Sequence, residues 1–219
     1  MKTLLLFALL SLAAPLARAQ DINFAALDGD TNLVTVHTGA EYGLVLGAGY
    51  ARVTSVADRA VVVTGDVTLG WAEIDIDDFR LRAGTLVPLV DKGRWRVIGG
   101  LALSLRGTNN DLGRMTNAGA DFSILAGRYA ARGFVAAELG FDWALATHVS
   151  HGDAYRMNVY PGARDGWYRT PGGMLRAGVQ GGISLGRHDV ILRAGRMLDV
   201  AGNPAMIPIY ATLTFGTRW

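Results

Sequence analysis

Hydrophobic and polar residues alternate with a period of two along most of this chain. In the clearest stretch, apolar side chains such as Val135, Leu139 and Trp143 occupy one face, and Glu138 and Asp142 occupy the other. A helix would scatter the two carboxylates among the apolar residues. A strand separates them, because successive side chains point to opposite faces. The stretch therefore predicts a β-strand.

The alternation recurs along the chain and predicts an all-β fold. Strong patterns lie at 61–71, 79–87, 95–106, 175–185 and 212–219, and weaker ones at 32–40, 42–53, 116–129 and 189–198. With the first stretch these make ten strands, most of them 10 to 14 residues long. Tilted strands of about 9–11 residues cross a bilayer, whereas strands of soluble sheets usually have roughly 5–6. Eight strands is the alternative count, because the first hairpin, around residues 39–43, is short for an outer loop.

Two features favour a transmembrane barrel over a soluble one. The polar faces combine Arg, Asp and Glu with many Gly and Ala, which suits a crowded lumen better than a solvated strand surface, since Gly weakens a strand. Aromatic residues fall near strand ends, where the interfacial girdles of membrane barrels lie. These residues are Tyr42, Tyr50, Trp71, Phe79, Trp95, Tyr129, Trp143 and Trp219.

The predicted connections alternate in length. Short ones lie at 55–59, 91–94, 130–132 and 187–188, and mostly longer ones at 73–78, 107–115, 149–172 and 199–208. Outer-membrane barrels with periplasmic chain ends have short periplasmic turns and longer outer loops. The pattern therefore predicts an antiparallel up-and-down barrel with both ends in the periplasm.

The chain begins like a secretory signal peptide. Lys2 precedes an apolar run at residues 4–12, and Ala17-Arg18-Ala19 forms a small-residue cleavage site. The run is too short for a membrane anchor, which needs about 20 residues. We expect a signal peptide at 1–19, an N-terminal periplasmic segment at 20–31 and the barrel at 32–219.

The last strand ends in Phe-Gly-Thr-Arg-Trp, with Phe215 and Trp219 on its apolar face. This resembles the C-terminal signal by which outer-membrane proteins of Gram-negative bacteria are recognised for insertion, although Phe is the commoner last residue. The whole mature chain resembles the small outer-membrane β-barrel proteins as a broad class. The resemblance implies location in the outer membrane and contact with the barrel-insertion machinery.

Composition narrows the function classes. The chain has no Cys, so a disulfide framework and Cys-based metal sites are excluded. Without Lys2 and Arg18 the basic and acidic residues are equal in number, at 19 each. A neutral chain without a cluster of basic residues lacks the positive surface that nucleic-acid binding requires. We expect a monomer without cofactor or metal.

The polar faces predict a charged network that largely fills the lumen. Its expected members are Asp66, Arg80, Arg82, Arg96, Arg106, Asp121, Glu138, Asp142, Arg176 and Arg193. Unpaired buried ions are costly, so pairing is expected, with Asp142 beside Arg176 and Asp66 beside Arg82. A structural or surface-interaction protein is the main hypothesis. A narrow channel is the alternative, weakly anion-selective because Arg is in excess.

Candidate chemistry lies in the outer loops. Asp75 and Asp77 precede one predicted strand, and His148, His151 and Asp153 lie near the longest loop. Their loop positions are similar to those of the acidic and Asp/His pairs of omptin proteases, but the local motif differs. An enzyme acting on lipid A is the other enzymatic alternative, although no His-x-Ser pair lies on a late strand. We therefore assign no catalytic site from the sequence, and these loop residues remain candidates only.

The longest loop is rich in residue types that bind partners. It carries Tyr155, Tyr160, Trp167, Tyr168, Arg156, Arg164, Asp165 and Arg169 after Asp153. Aromatic and Arg side chains are enriched at binding hot spots. The same residue types contact the phosphates and sugars of lipopolysaccharide, which we expect, with outer-membrane lipids, to be the main partner.

Overall fold

A computed structural model describes residues 21–27, 31–56, 59–71, 77–169 and 172–219. The strands are β1 (Asn32–Ala40), β2 (Leu44–Val56), β3 (Arg59–Gly70), β4 (Phe79–Lys92), β5 (Trp95–Asn110), β6 (Gly113–Ala130), β7 (Gly133–His151), β8 (Gly166–Tyr168), β9 (Gly172–Leu185), β10 (His188–Asp199) and β11 (Pro204–Arg218). A 3-10 helix (Phe24–Ala26) precedes β1, and a short helix, α1 (Asp153–Asn158), lies between β7 and β8. Among these residues no helix is long and apolar enough to cross a membrane.

Ten of the strands form a closed antiparallel barrel. Each strand pairs with the next in sequence, β7 pairs with β9, and β11 returns to β1, with Leu33 opposite Arg218. The remaining strand, β8, pairs only with residues 147–149 of β7. The prediction of a ten-stranded antiparallel barrel is confirmed, and the eight-strand alternative is wrong because the short first hairpin forms two full wall strands.

Both ends of the barrel wall lie at what we call the lower end, where β1 begins and β11 finishes. The connections at the opposite, upper end differ from the expectation. Residues 107–115 are not a loop: β5 and β6 continue to a two-residue turn at Asp111 and Leu112. Of the loop predicted at 149–172, residues 149–151 belong to β7, and α1 and β8 lie within the part that follows. In both cases backbone pairing extends above the neighbouring strands.

In the upper half of the barrel the polar strand faces, with their charged side chains, point inward, and the apolar faces point outward. On β7, Glu138 and Asp142 are 2% and 6% exposed, whereas Val135 and Leu139 are 60% and 63% exposed. The alternation predicts this arrangement correctly along the wall. It is the reverse of a soluble barrel, in which the apolar face forms the core.

Glycine makes room for large side chains in the lumen. A Cβ at Gly140 would lie 2.6 Å from Nη2 of Arg176, and one at Gly47 would lie 2.2 Å from Nε2 of His37. Any larger residue at these two positions would displace the side chain on the neighbouring strand. Small residues on the polar face therefore accompany the charged ones for steric reasons.

The lower half of the lumen contains the N-terminal segment and is largely apolar, with a small polar cluster at Asn23, Ser184 and Asp189. Residues 21–27 lie inside the barrel, where Ile22 and Phe24 pack in its apolar cluster. Phe24 meets Tyr129 edge-on at 6.2 Å, and Tyr129 stacks on Phe134 at 5.0 Å. The buried cluster comprises Ile22, Phe24, Leu33, Ala51, Val53, Val62, Leu86, Ile98, Leu125, Tyr129, Phe134, Ala136 and Ile191. The predicted signal peptide lies outside the described residues.

Candidate functional site

The upper half of the lumen holds a layer of ion pairs, which we call the charged layer. It contains five guanidinium groups and five carboxylates within the described chain: Arg80, Arg82, Arg106, Arg176, Arg193, Glu41, Asp66, Asp121, Glu138 and Asp142. Nine of these residues lie on the polar strand faces identified from the sequence. Arg193 and Glu138 are only 1% and 2% exposed. The layer therefore lies away from solvent.

Ion pairs of the charged layer join neighbouring strands in some cases and reach across the lumen in others. Arg82 donates from Nε to Oδ2 of Asp66 at 2.8 Å, and the two residues lie directly opposite each other on β3 and β4. Arg193 binds Glu138 through Nε and Nη2, and its Nη1 lies 3.3 Å from Oε1 of Glu41. Such forked guanidinium–carboxylate contacts fix the geometry of both partners.

The expected pairing of Asp142 with Arg176 is wrong. Arg176 instead donates to both oxygens of Asp121, at 2.5 and 3.0 Å. Asp142 accepts hydrogen bonds from Arg106 and from the Tyr42 hydroxyl. Asp121 and Asp142 lie directly opposite each other on β6 and β7, so the two like charges are compensated by different arginines.

The turn between β1 and β2 supplies Glu41, which the sequence analysis did not single out, and Tyr42, which it placed wrongly in an interfacial aromatic girdle. Glu41 is 4% exposed and forms ion pairs with Arg80 and Arg193. The Tyr42 ring lies 5.2 Å from the Arg80 guanidinium and 4.5 Å from that of Arg106. Strand periodicity carries no information on a turn. The feature of the sequence that could have indicated this is the presence of an acidic and an aromatic residue in the shortest connection at the upper end.

Glu41 changes the charge balance. The predicted excess of Arg depended on omitting Glu41 and on counting Arg96 in the network. Arg96 instead binds Asp91 at 3.1 Å, near the turn between β4 and β5 at the lower end. The charged layer therefore balances five positive with five negative groups, which removes the basis for anion selectivity.

Above the charged layer lies an open cavity of about 420 Å³. Tyr42 and Arg106 contribute polar lining, and Leu44, Phe79 and Met115 are among its apolar walls. The Arg106 side chain remains 28% exposed, more than the other arginines of the charged layer. Glu41 and Arg80 also line the cavity, which therefore reaches the upper side of the charged layer.

The loop residues proposed for chemistry do not form one site. Asp77 binds Arg114 and Asn109 at 3.5 and 3.4 Å, and His148 lies edge-on to Trp167 at 5.3 Å. Asp153 is exposed at the start of α1, and Asp75 lies outside the described residues. Within the described chain no carboxylate or hydroxyl is hydrogen-bonded to the His148 ring, and no cluster of three or more His, Asp or Glu could hold a metal.

Asp165 connects the two ends of the long loop through hydrogen bonds. Its Oδ1 accepts a hydrogen bond from the backbone N–H of His151 and lies 3.0 Å from Nδ1 of the same residue. Its Oδ2 accepts a hydrogen bond from Arg156 at 2.7 Å. The hydrogen bonds from the backbone and ring of His151, followed by that from Arg156, lower the pKa of Asp165 to about 2. A carboxylate with a lowered pKa stabilises the folded loop at all pH values above its ordinary range.

We expect Asp165→Asn to raise amide exchange in residues 152–169 by about tenfold or more, because the loop loses its ionic contacts. Asp153→Asn, on the same loop, is the matched control and should leave exchange unchanged. In the parent chain, protection should stay constant from neutral pH down to about 4 and decline as the pH approaches about 2, where the carboxylate becomes protonated. Hydrogen exchange with mass spectrometry measures both effects, and equal exchange in the two variants would contradict the assignment.

The chain matches no protein-family model, and no curated protein matches it significantly. The fold and the charged layer therefore define it only as a closed, ten-stranded β-barrel with an ion-paired lumen.

Proposed function

We propose that this protein is an integral outer-membrane barrel of a Gram-negative bacterium, closed to solutes, with a structural and surface-interaction role. Its signal peptide is removed near Ala19, and its lower end faces the periplasm. Its upper loops contact lipopolysaccharide.

The single observation that carries the proposal is the outward apolar surface. Large hydrophobic side chains are exposed around the barrel, including Leu103 at 65%, Leu192 at 59% and Val179 at 58%. Soluble monomers rarely expose contiguous apolar patches larger than a few hundred Å². A lipid environment removes this cost, and a closed barrel leaves no unpaired strand edge in the hydrocarbon region.

The composition of the lumen supports a closed barrel rather than a channel. The charged layer occupies its upper half, and the apolar cluster around Ile22 and Phe24 occupies its lower half. Wide aqueous channels need about 16 strands. The charges in the layer are also balanced, so the layer favours neither anions nor cations. The argument for an anion-selective channel, which depended on an excess of Arg, therefore falls away.

The upper loops support contact with lipopolysaccharide. Tyr160, Trp167 and Tyr168 are 59%, 62% and 44% exposed, and Arg164 is exposed beside them in sequence. Aromatic rings can cover sugars, and guanidinium groups bind phosphate through paired hydrogen bonds. No hydroxyl group in the described residues is hydrogen-bonded to His148 or His151, and the partner of the His151 ring is the Asp165 carboxylate, so a Ser-based lipid A chemistry gains no support.

Membrane fractionation tests the location, and reconstitution tests closure. We expect the mature chain in the outer membrane, with mobility on gels that changes on heating. In liposomes or planar bilayers it should produce no conductance above background. Recovery as a soluble periplasmic protein would overturn the proposed location, and a reproducible conductance would overturn closure.

A further inference from the structure

Basic residues collect at the lower end of the barrel, although the sequence contains no basic run. Six cationic side chains are exposed there, near the ends of wall strands or in the turns between them: Arg52, Lys92, Arg94, Arg128, Arg132 and Arg187. Within the described residues none of the six forms an ion pair, and the exposed Asp91 at the same end binds Arg96 at 3.1 Å. The lower end therefore carries an excess of positive charge.

Arg128 lies on the apolar outer face of the wall. It is exposed near the end of β6, and the residues directly opposite it are Trp95 on β5 and Val135 on β7, which are 61% and 60% exposed. A guanidinium group between apolar side chains is costly in hydrocarbon, but the cost falls at the interface, where a long side chain reaches the head groups. Trp is also enriched at that depth. The position of Arg128 is therefore typical of the interfacial region of a membrane barrel.

Arg94 and Arg128 line the same open cavity at the lower end. It has a volume of about 320 Å³, lies beside the turn between β6 and β7, and has Val135 among its apolar lining residues. The backbone N–H of Tyr129 donates to the carbonyl oxygen of Arg94 at 2.7 Å, which holds the end of β6 against the turn between β4 and β5. Two guanidinium-bearing residues thereby border one groove with apolar walls, which we call the lower groove.

The groups around the lower groove match the parts of a phospholipid. Guanidinium groups bind phosphate oxygens through paired hydrogen bonds. The exposed apolar side chains of Trp95 and Val135 provide surface for acyl chains. Clustered Lys and Arg side chains attract lipids with a net negative charge. The excess of positive charge at this end therefore favours an anionic lipid over a zwitterionic one.

We propose that the lower groove binds the phosphate of an anionic glycerophospholipid, with Arg94 and Arg128 on the phosphate and Trp95 and Val135 against the acyl chains. The inference rests on the proposed membrane location, which brings lipid to the outer face of the wall. It assigns the end proposed to face the periplasm a phospholipid site of its own, separate from the contact of the upper loops with lipopolysaccharide.

Native mass spectrometry of the chain refolded in detergent micelles tests the lipid preference. Phosphatidylglycerol and phosphatidylcholine with identical acyl chains are added at equal concentrations. We expect phosphatidylglycerol to bind about tenfold more tightly, because the two lipids share a phosphate and differ in net charge. Its deacylated head group, glycerophosphoglycerol, should not displace it at the same concentration, because the head group lacks the chains that contact Trp95 and Val135.

A double variant with a matched control locates the site. Arg94→Gln with Arg128→Gln should weaken phosphatidylglycerol binding by about tenfold or more, because both cations beside the phosphate are lost. Arg52→Gln with Arg187→Gln removes the same charge from the same end, outside the lower groove, and should change binding by less than about twofold because of screening. None of the four side chains forms an ion pair within the described residues, so both double variants should keep the denaturation midpoint of the parent chain.

Equal binding of the two lipids to the parent chain would overturn the inference, and so would displacement by the deacylated head group. Equal losses in the two double variants would also overturn it, because the positive end as a whole would then attract the lipid. Each of these results would leave the proposed membrane location intact, since fractionation decides that question separately.

Discussion

Replacing Arg176 by Gln is expected to lower the free energy of unfolding by about 3–5 kcal/mol, because the buried Asp121 loses its two-pronged partner and keeps the longer contact with Arg82, 4.0 Å away. Asp121→Asn should have a similar effect, because Arg176 loses the same two hydrogen bonds and keeps the contact with Glu138 at 3.5 Å. Arg176 donates to both oxygens of Asp121, and both side chains are at most 5% exposed. The double variant should lose less than the sum of the single losses, by about 1–3 kcal/mol, because neither charge is left alone.

The matched control uses the same arginine with the wrong acid. Asp142 binds Arg106 and Tyr42 rather than Arg176, so the cycle of Asp142→Asn with Arg176→Gln should show clearly weaker coupling. Denaturant titration in micelles, followed by tryptophan fluorescence, measures all five variants. Stronger coupling with Asp142 would contradict the pairing. Uniformly small losses would indicate a hydrated lumen, because water screens the charges.

Leu139→Arg is expected to destabilise the barrel in a bilayer by about 2–4 kcal/mol, because it places a charge on the lipid-facing surface. Leu139 is 63% exposed on β7 and faces away from the charged layer. In a soluble protein, an exposed substitution of this kind usually changes stability by less than about 0.5 kcal/mol. The size of the loss therefore distinguishes lipid from water on this face.

Leu112→Arg is the control for the effect of Arg itself. Leu112 is 52% exposed in the turn between β5 and β6, above the neighbouring strands. We expect about 0–1 kcal/mol there, since the cost of Arg falls toward the membrane interface. Unfolding from liposomes measures both variants. Equal, small effects at the two positions would contradict a membrane location for the barrel wall.

The contents of the lumen could be predicted only in part. Nine residues of the charged layer were identified because an inward position follows from strand phase, which is a local property. Partner choice was not predictable, because Arg176 extends across Gly140 to Asp121 on β6 and to Glu138 on β7, and not to Asp142. A long, flexible Arg side chain can reach several carboxylates, and the one that it binds depends on how the strands are staggered in the closed barrel.

The sequence alone predicted the ten wall strands, with eight left as the alternative, and the face of each strand that points inward, since a period of two marks both locally. The lengths of the connections predicted the antiparallel order. Only the tertiary structure decided that Glu41 and Tyr42 enter the lumen and that the charged layer is neutral. It alone also placed Ile22 and Phe24 inside the lower half. These residues lie in a turn and in a segment before the first strand, where no periodicity operates. Their positions depend on the space that remains when ten strands close around them.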